Sequence, residues 1–272
     1  MCKHDIVGGD KVEFIQVSWI KFKKFKPLIH ELITRDLKVK YRRSFLGYLW
    51  SLLNPLLMMA IMSIVFSQMF KVDISNFPLY IICGQTLFSF FSESTTMAMG
   101  SILANASLIK KIYIPKYIFP FSRVLSSFVT MAFSLMAIFI VMIITGANFY
   151  WTILLIWFPV LFLFFFCCGW GMVLSSLSVY FRDMTYLWSV ITLAWTYLTP
   201  VFYTVDLLPK EIIIIVENNP LYIFISFFRE LVMNGAIPDV LSWIKIILCG
   251  ILSLVIGLIV FKKLQGNFIL YI

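Results

Sequence analysis

The chain has 272 residues, 61% of them hydrophobic and 13% charged, whereas a soluble domain is about half apolar and about a quarter charged. Its formal net charge of +9 resides mostly in the first 43 residues and in short loops, which is how the inner segments of a membrane protein are marked and not how a nucleic-acid footprint is spread. A soluble fold and a nucleic-acid partner are both excluded, and lipid must be the solvent.

Five cysteines (Cys2, Cys83, Cys167, Cys168, Cys249) show no metal-ligand spacing, and four of them lie in apolar runs, where a thiol behaves as a small hydrophobe. His4 and His30 are the only histidines, so a histidine-based metal or catalytic cluster is out of reach. The opening MCKHDIVGGDKVEF lacks the apolar core of a signal peptide.

Leu28, Ile29, Leu32, Ile33, Leu37 and Tyr41 fall near helical spacing with charges between them. Leu28 to Arg43 therefore reads as an amphipathic helix in the inner membrane interface; the alternative is a solvated basic tail that only sets topology. A helix needs about 20 predominantly apolar residues to cross a bilayer. Residues 45–70 supply the first such span, with Pro55 expected to kink it. Residues 77–100 supply the second and carry one charge, Glu93. A carboxylate at that depth costs about 3 kcal/mol, so it should face the bundle interior or water, with Ser92 or Thr96 as partner. It is either a contact with substrate or with a dimer axis, or a protonated structural acid.

Residues 101–120 form a short inner loop in which Leu108, Ile109, Ile112 and Tyr113 accompany Lys110 and Lys111. Apolar side chains held there want a partner surface, the alternative being an interfacial helix on lipid. Val124 to Phe181 contains no charge, enough for spans at 122–145 and 152–178 with a turn at TGANFYW. A fifth span covers 184–205, a sixth 240–261, and 265–272 is the tail. Between them, residues 206–235 hold two apolar pieces too short to cross, broken at Pro209, Asn219 and Pro220. A re-entrant or interfacial helical hairpin fits; the alternative is an external loop. The fold expected is thus an all-α integral membrane protein of six spans. With the N-terminus inside, eighteen of the 22 Lys and Arg lie on the inner segments, so both termini are cytoplasmic.

Trp188, Trp195 and Phe202 recur every seven residues on the fifth span, flanked by Tyr197 and Tyr203. Such a face suits sugar rings, which stack on aromatics; lipid-facing aromatics are the alternative. Phe88 and Phe91, with Glu93, are assigned to the same channel.

In order along the chain stand RDLKVKYRRSFLGYLW…NP, LIKKIYIPKYIFP, VYFRDM, YLTPVFY, then LP and NPL before FFREL. From about Trp19 onward this set resembles the membrane subunits of type-2 ABC exporters of polysaccharides, the O-antigen, capsule and teichoic-acid permeases. The resemblance implies a homodimer in the bacterial cytoplasmic membrane, served by two ATPase subunits that bind ATP and Mg, with a lipid-linked glycan as substrate. It also implies roles for segments. Thr34 to Arg43, with Arg35, Asp36, Lys38 and Arg42, would touch the ATPase; Asn105 to Ile114 would be the coupling helix; Asp206 to Arg229, with Pro209, Asn219, Pro220 and Arg229, would be the outer gate. Consistently, the dipeptide Gly-Lys never occurs, so no phosphate-binding loop of the G-x-x-x-x-G-K-[ST] type is present. An exporter of small drugs or haem would carry larger external insertions, a membrane transferase would need clustered acids, histidines or a nucleophile, and a secondary transporter would favour internal repeats.

Overall fold

The structure, a computed structural model, describes residues 25–40, 42, 44–70 and 76–272. Tyr41, Arg43 and most of the expected first external loop lie outside these residues, as does the chain before residue 25. All regular structure among the described residues is helical. Helix α1 covers 25–40. A 3-10 turn, Gly47–Leu49, leads into α2 (Trp50–Phe70), followed by α3 (Phe77–Met99), the short α4 (Ser101–Ala104) and α5 (Ala106–Lys111), then α6 (Ile118–Thr145). After a second 3-10 turn come α7 (Trp157–Tyr180), α8 (Met184–Leu198), α9 (Lys210–Glu217), α10 (Pro220–Arg229), α11 (Val240–Leu264) and α12 (Phe268–Tyr271).

Four stretches among the described residues, Gly47–Phe66, Ile118–Thr145, Trp151–Tyr180 and Val240–Tyr271, are long and apolar enough to cross a membrane. A fifth arises if α9 and the stretch Pro220–Asn234, bent at 84° to each other, are taken as one. The other two segments expected to span depart from that norm for different reasons. With 23 residues α3 is long enough, but it carries Gln85, Thr86, Ser89, Ser92, Glu93, Ser94, Thr95 and Thr96. Helix α8 stops after 15 residues, seven short of the expected end. Thr199 precedes Pro200, and its extended conformation (φ −105°, ψ 124°) is the one a following proline enforces.

Helix α3 sits at the centre, packed by α2, α6, α7, α8 and α10, so its polar residues are shielded from lipid. On one side α7 and α11 approach through small residues. A Cβ added at Gly257 would overlap the backbone of Gly169, and one at Gly169 would overlap the carbonyl of Ser253; Ser253 also donates to the Phe166 carbonyl at 2.9 Å. Close backbone contact and an interhelical hydroxyl bond are what hold helices together where lipid removes the hydrophobic drive. Helix α6 ends at Gly146, whose φ of +64° lets Ala147 donate back to Met142 at 2.9 Å and close the helix end.

Pro55 is inside α2 and has no N–H to give the Ser51 carbonyl one turn earlier. The hydroxyl of Ser134 on α6 donates to that carbonyl at 3.1 Å, turning a proline defect into a cross-helix tie. Beneath the bundle a second apolar cluster joins Ile29 and Leu32 of α1 to Ile109, Ile114, Phe119, Val179, Phe261 and Phe268. The expected tail is therefore packed, with Phe268 fully buried and the Lys116 ammonium bonded to the Gln265 carbonyl at 2.6 Å. Burial pulls the Lys116 pKa below its ordinary value.

Gly257→Leu forces α7 and α11 apart and should cost about 1–3 kcal/mol, whereas Gly266→Ala meets nothing within 4 Å and should be neutral. Thermal unfolding of the purified protein in detergent checks the contrast.

Candidate functional site

The sequence expects the aromatic face of the fifth span to line a channel, and the structure divides that face. Trp188 is 2% exposed and turns into the protomer, where its indole N–H donates to Thr95 Oγ1 at 3.3 Å. It stacks on Trp170 at 5.5 Å, and Phe91 packs edge-on against both Trp188 and Trp195 at 6.1 and 5.2 Å. Phe91 is itself fully buried and Phe88 nearly so. These rings form a packed wall within one chain. Phe202 lies beyond the helix end and stacks on Phe66 at 5.7 Å. Tyr197 is exposed, and the Tyr203 hydroxyl donates to its carbonyl at 2.6 Å.

What opens to the outside is a hydroxyl-rich face of α3. Ser89 and Thr96 are exposed, and Ser92 and Glu93 half-buried, one helical turn apart. With Phe88 and Met97 they line an open cavity of about 430 Å³. The stretch SFFSESTTM already shows this pattern, since positions 89, 92, 93 and 96 share a helix face, but the aromatics of the fifth span are the louder signal. The Glu93 carboxylate accepts from Lys40 of α1 at 2.7 Å; the partner expected from sequence was a neighbouring hydroxyl. Both side chains are about one-third exposed (33% and 34%), so the pair contributes at most about 1 kcal/mol.

The end of the bundle where α8, α9 and α10 meet is held by two polar hubs. Asn219 Oδ1 accepts from the Leu221 N–H at 3.1 Å, capping α10, and from the Trp195 indole at 2.9 Å, while its amide donates to Thr199 Oγ1 at 2.9 Å. Pro220 begins the helix that follows, and Pro209 begins α9. Arg229, expected on an outer hairpin, is 7% exposed. Its guanidinium donates to the carbonyls of Pro200 at 2.8 Å, Val201 at 2.9 Å and Tyr80 at 3.0 and 3.2 Å, and it lies 3.4 Å from the centre of the Tyr80 ring. Helix α10 is inserted among α3, α7 and α11, whereas α9 leaves Ile214 and Ile215 exposed.

At the opposite end lies Asp36, which the resemblance places on the helix that touches the ATPase. Ile29, Leu32 and Asp36 follow helical spacing, and all three are buried. Asp36 Oδ1 accepts from Arg123 of α6 at 2.9 Å and from Arg35 at 3.2 Å; Arg35 also donates to Asn105 at 3.1 Å. Helices α1, α4, α5 and α6 are thereby tied at one point. Lys38 and Arg42 are exposed. In the loop, Ile109 faces the apolar cluster, Leu108 packs partly against it, and Lys110, Lys111, Ile112 and Tyr113 face outward, the last 96% exposed. Among the described residues no three His, Cys, Asp or Glu side chains gather as metal ligands would.

Residues 27–233 match the family described as ABC-2 type transporter. The chain is 33% identical to the O-antigen export system permease protein RfbA of Klebsiella pneumoniae, over 89% of this chain and 93% of the relative. It is 26% identical to the capsule polysaccharide export inner-membrane protein CtrC of Neisseria meningitidis, over 88% and 91%. To the polysialic acid transport protein KpsM of Escherichia coli it is 24% identical, over 89% and 95%.

Asp36→Ala strands Arg123 without its carboxylate and should cost about 3 kcal/mol, whereas Lys40→Ala breaks only the half-exposed pair and should cost about 1 kcal/mol or less. The two melting temperatures of the purified variants test this; equal shifts would contradict it.

Proposed function

Because the chain belongs to the ABC-2 type transporter family, we propose that it is the permease of an ATP-driven exporter carrying a lipid-linked polysaccharide across the bacterial cytoplasmic membrane. The observation that carries the reading is its similarity, over nearly nine-tenths of its length, to a permease named for O-antigen export. The polar face of α3, set in a bundle of otherwise apolar helices, supplies chemistry that a glycan can use.

In this reading six segments cross the membrane: α2, α3, α6, α7, α8 with the turn after it, and α11. Both termini are cytoplasmic. The glycan passes along Ser89, Ser92, Glu93 and Thr96. Trp188, Trp195, Phe88 and Phe91 stiffen the wall behind them, while Tyr197, Phe202 and Tyr203 border the outer end. Hydroxyls offer bonds that a sliding chain exchanges one for another, so no single residue traps it. The exposed sides of α2 and α8 support pairing with a second copy. Only 6% of the first apolar stretch is buried, and α8 buries little beyond Trp188 and Thr192. Helices α9 and α10, with Pro209, Asn219, Pro220 and Arg229, form the outer gate.

Energy comes from two partner subunits that bind ATP and Mg and hydrolyse the nucleotide. Lys110, Lys111, Ile112 and Tyr113 form the docking knob, and Arg35, Lys38 and Arg42 of the interface helix flank it. Docking movements reach the pathway through Asp36–Arg123 and through Lys40–Glu93.

Removing this chain from its host should leave lipid-linked glycan on the cytoplasmic side and strip it from the cell surface. Unchanged surface glycan would contradict the function. Ile112→Asp and Tyr113→Asp place a charge on exposed positions, so the permease should still fold yet lose most of the ATPase subunit that co-purifies with it. Undiminished co-purification would contradict the docking assignment.

A further inference from the structure

A second cavity, of about 480 Å³, lies inside the protomer between α2, α3 and α6. It shares Ser89 and Glu93 with the open face of α3, so it is a side chamber off that face. Its size falls within the ~300–1,000 Å³ of small-molecule sites. Its polar wall includes Asn54, Gln85, Thr86, Ser127, Thr130 and Ser134, with Trp50, Phe90 and Met131 as apolar surface.

The hydrogen-bonding state of that wall selects a ligand. Ser134 spends its proton on the Ser51 carbonyl at 3.1 Å, Thr130 on the Ser126 carbonyl at 3.3 Å, and Ser127 on the Met97 sulfur at 3.4 Å. Each hydroxyl oxygen keeps its acceptor capacity. Gln85 Oε1 and Thr86 Oγ1 are buried without a partner. The chamber therefore holds spent hydroxyls that now accept, together with the Thr86 hydroxyl and the Asn54 and Gln85 amides that can also give. It asks for a ligand that both donates and accepts, as sugar hydroxyls do. A phosphate, which mainly accepts, would leave Gln85 Oε1 and the spent hydroxyls of Ser127, Thr130 and Ser134 without a donor. Charge points the same way: among the described residues the ionic groups on the wall are Lys40 and Glu93, which are paired at 2.7 Å. A hydrocarbon chain would leave Gln85 and Thr86 unsatisfied, at the cost of their desolvation.

We propose that this chamber binds one neutral sugar ring of the exported glycan, taking its hydroxyl protons on Gln85, Thr86, Ser127, Thr130 and Ser134 and its C–H face on Trp50. This rests on the polysaccharide reading, and it adds a fixed station beside the pathway in each protomer. A ring held there would be recognised individually, unlike the units that slide past the α3 face.

The test uses the permease with its ATPase partner in lipid nanodiscs, titrated with a panel of neutral methyl hexopyranosides and methyl deoxyhexopyranosides and read by saturation-transfer NMR. At least one pyranoside should bind saturably. Gln85→Leu and Thr130→Leu should weaken it about tenfold, as expected for lost buried hydrogen bonds, and inorganic phosphate should not compete. Asn54→Ala, at an exposed position of α2, should weaken it too and keeps the test decisive if a core variant does not fold. No saturable binding of any pyranoside, equal binding by all variants, or displacement by phosphate would overturn the chamber. Surface glycan in cells carrying the wild-type chain is scored separately. Its presence alongside failed sugar binding sinks the chamber alone, and its absence sinks the export reading.

Discussion

Where α8 breaks at Thr199 and Pro200, backbone carbonyls are released inside the protein, away from water. An unpaired carbonyl in such surroundings is costly, and Arg229 resolves this by giving its guanidinium protons to Pro200, Val201 and Tyr80. Arginine suits the task because its fork of donors is planar and rigid. Asn219 does the same for the second break, between α9 and α10, with a single side chain that caps one helix and grips Trp195. The sharp bend between α9 and α10, the early end of α8 and the start of α3 are thus one connected solution to one constraint. Non-helical backbone is tolerated there because side chains supply the missing partners.

The same constraint explains why the most polar long helix is the central one. Helix α3 carries seven Ser, Thr or Gln side chains and a carboxylate, and five apolar elements screen most of it from lipid. Its buried Ser94 and Thr95 hydroxyls bond within the helix, as Thr95 does to the Phe91 carbonyl at 2.7 Å, while Ser89, Ser92, Glu93 and Thr96 remain at a surface. In the proposed exporter this helix is both core and path. Lys40 links its only charge to α1, and Asp36, one turn earlier on α1, links to Arg123 of α6 and to Arg35, which bonds Asn105 in the loop. In the proposed exporter a displacement of that loop would reach the pathway wall through these two ion pairs of unequal burial.

Much of this was legible in the sequence. Hydropathy alone gave the long spans at α2, α6, α7 and α11, the charge-free run found the turn closed by Gly146, and the broken segment before the last helix found the bent pair. Apolar spacing found α1, whose described residues are helical from 25 to 40. The failures share a cause: each depends on a partner far away in the chain. Asp36 sits among cations on the segment assigned to the ATPase contact, and nothing local announces its burial beside Arg123. Glu93 reads as a lone acid, since nothing local announces Lys40. Arg229 reads as an outer cation, because the carbonyls it serves exist only once α8 has ended. Trp188 and Trp195 do fall on one helix, whereas Phe202 lies beyond its end, and periodicity cannot say whether a face meets a cavity or a neighbouring helix. Here Trp170 and Phe91 fill the space.

The central claim is that a water-filled path runs along one face of α3. It is tested most directly by single cysteines introduced along that helix, in a background freed of the native ones, and treated with a charged, membrane-impermeant thiol reagent in the reconstituted transporter. Cysteines at positions 89, 92 and 96 should react, and those at 94, 95 and 98, on the buried face, should not. Uniform protection along the helix, or reaction on the buried face instead, would contradict the account.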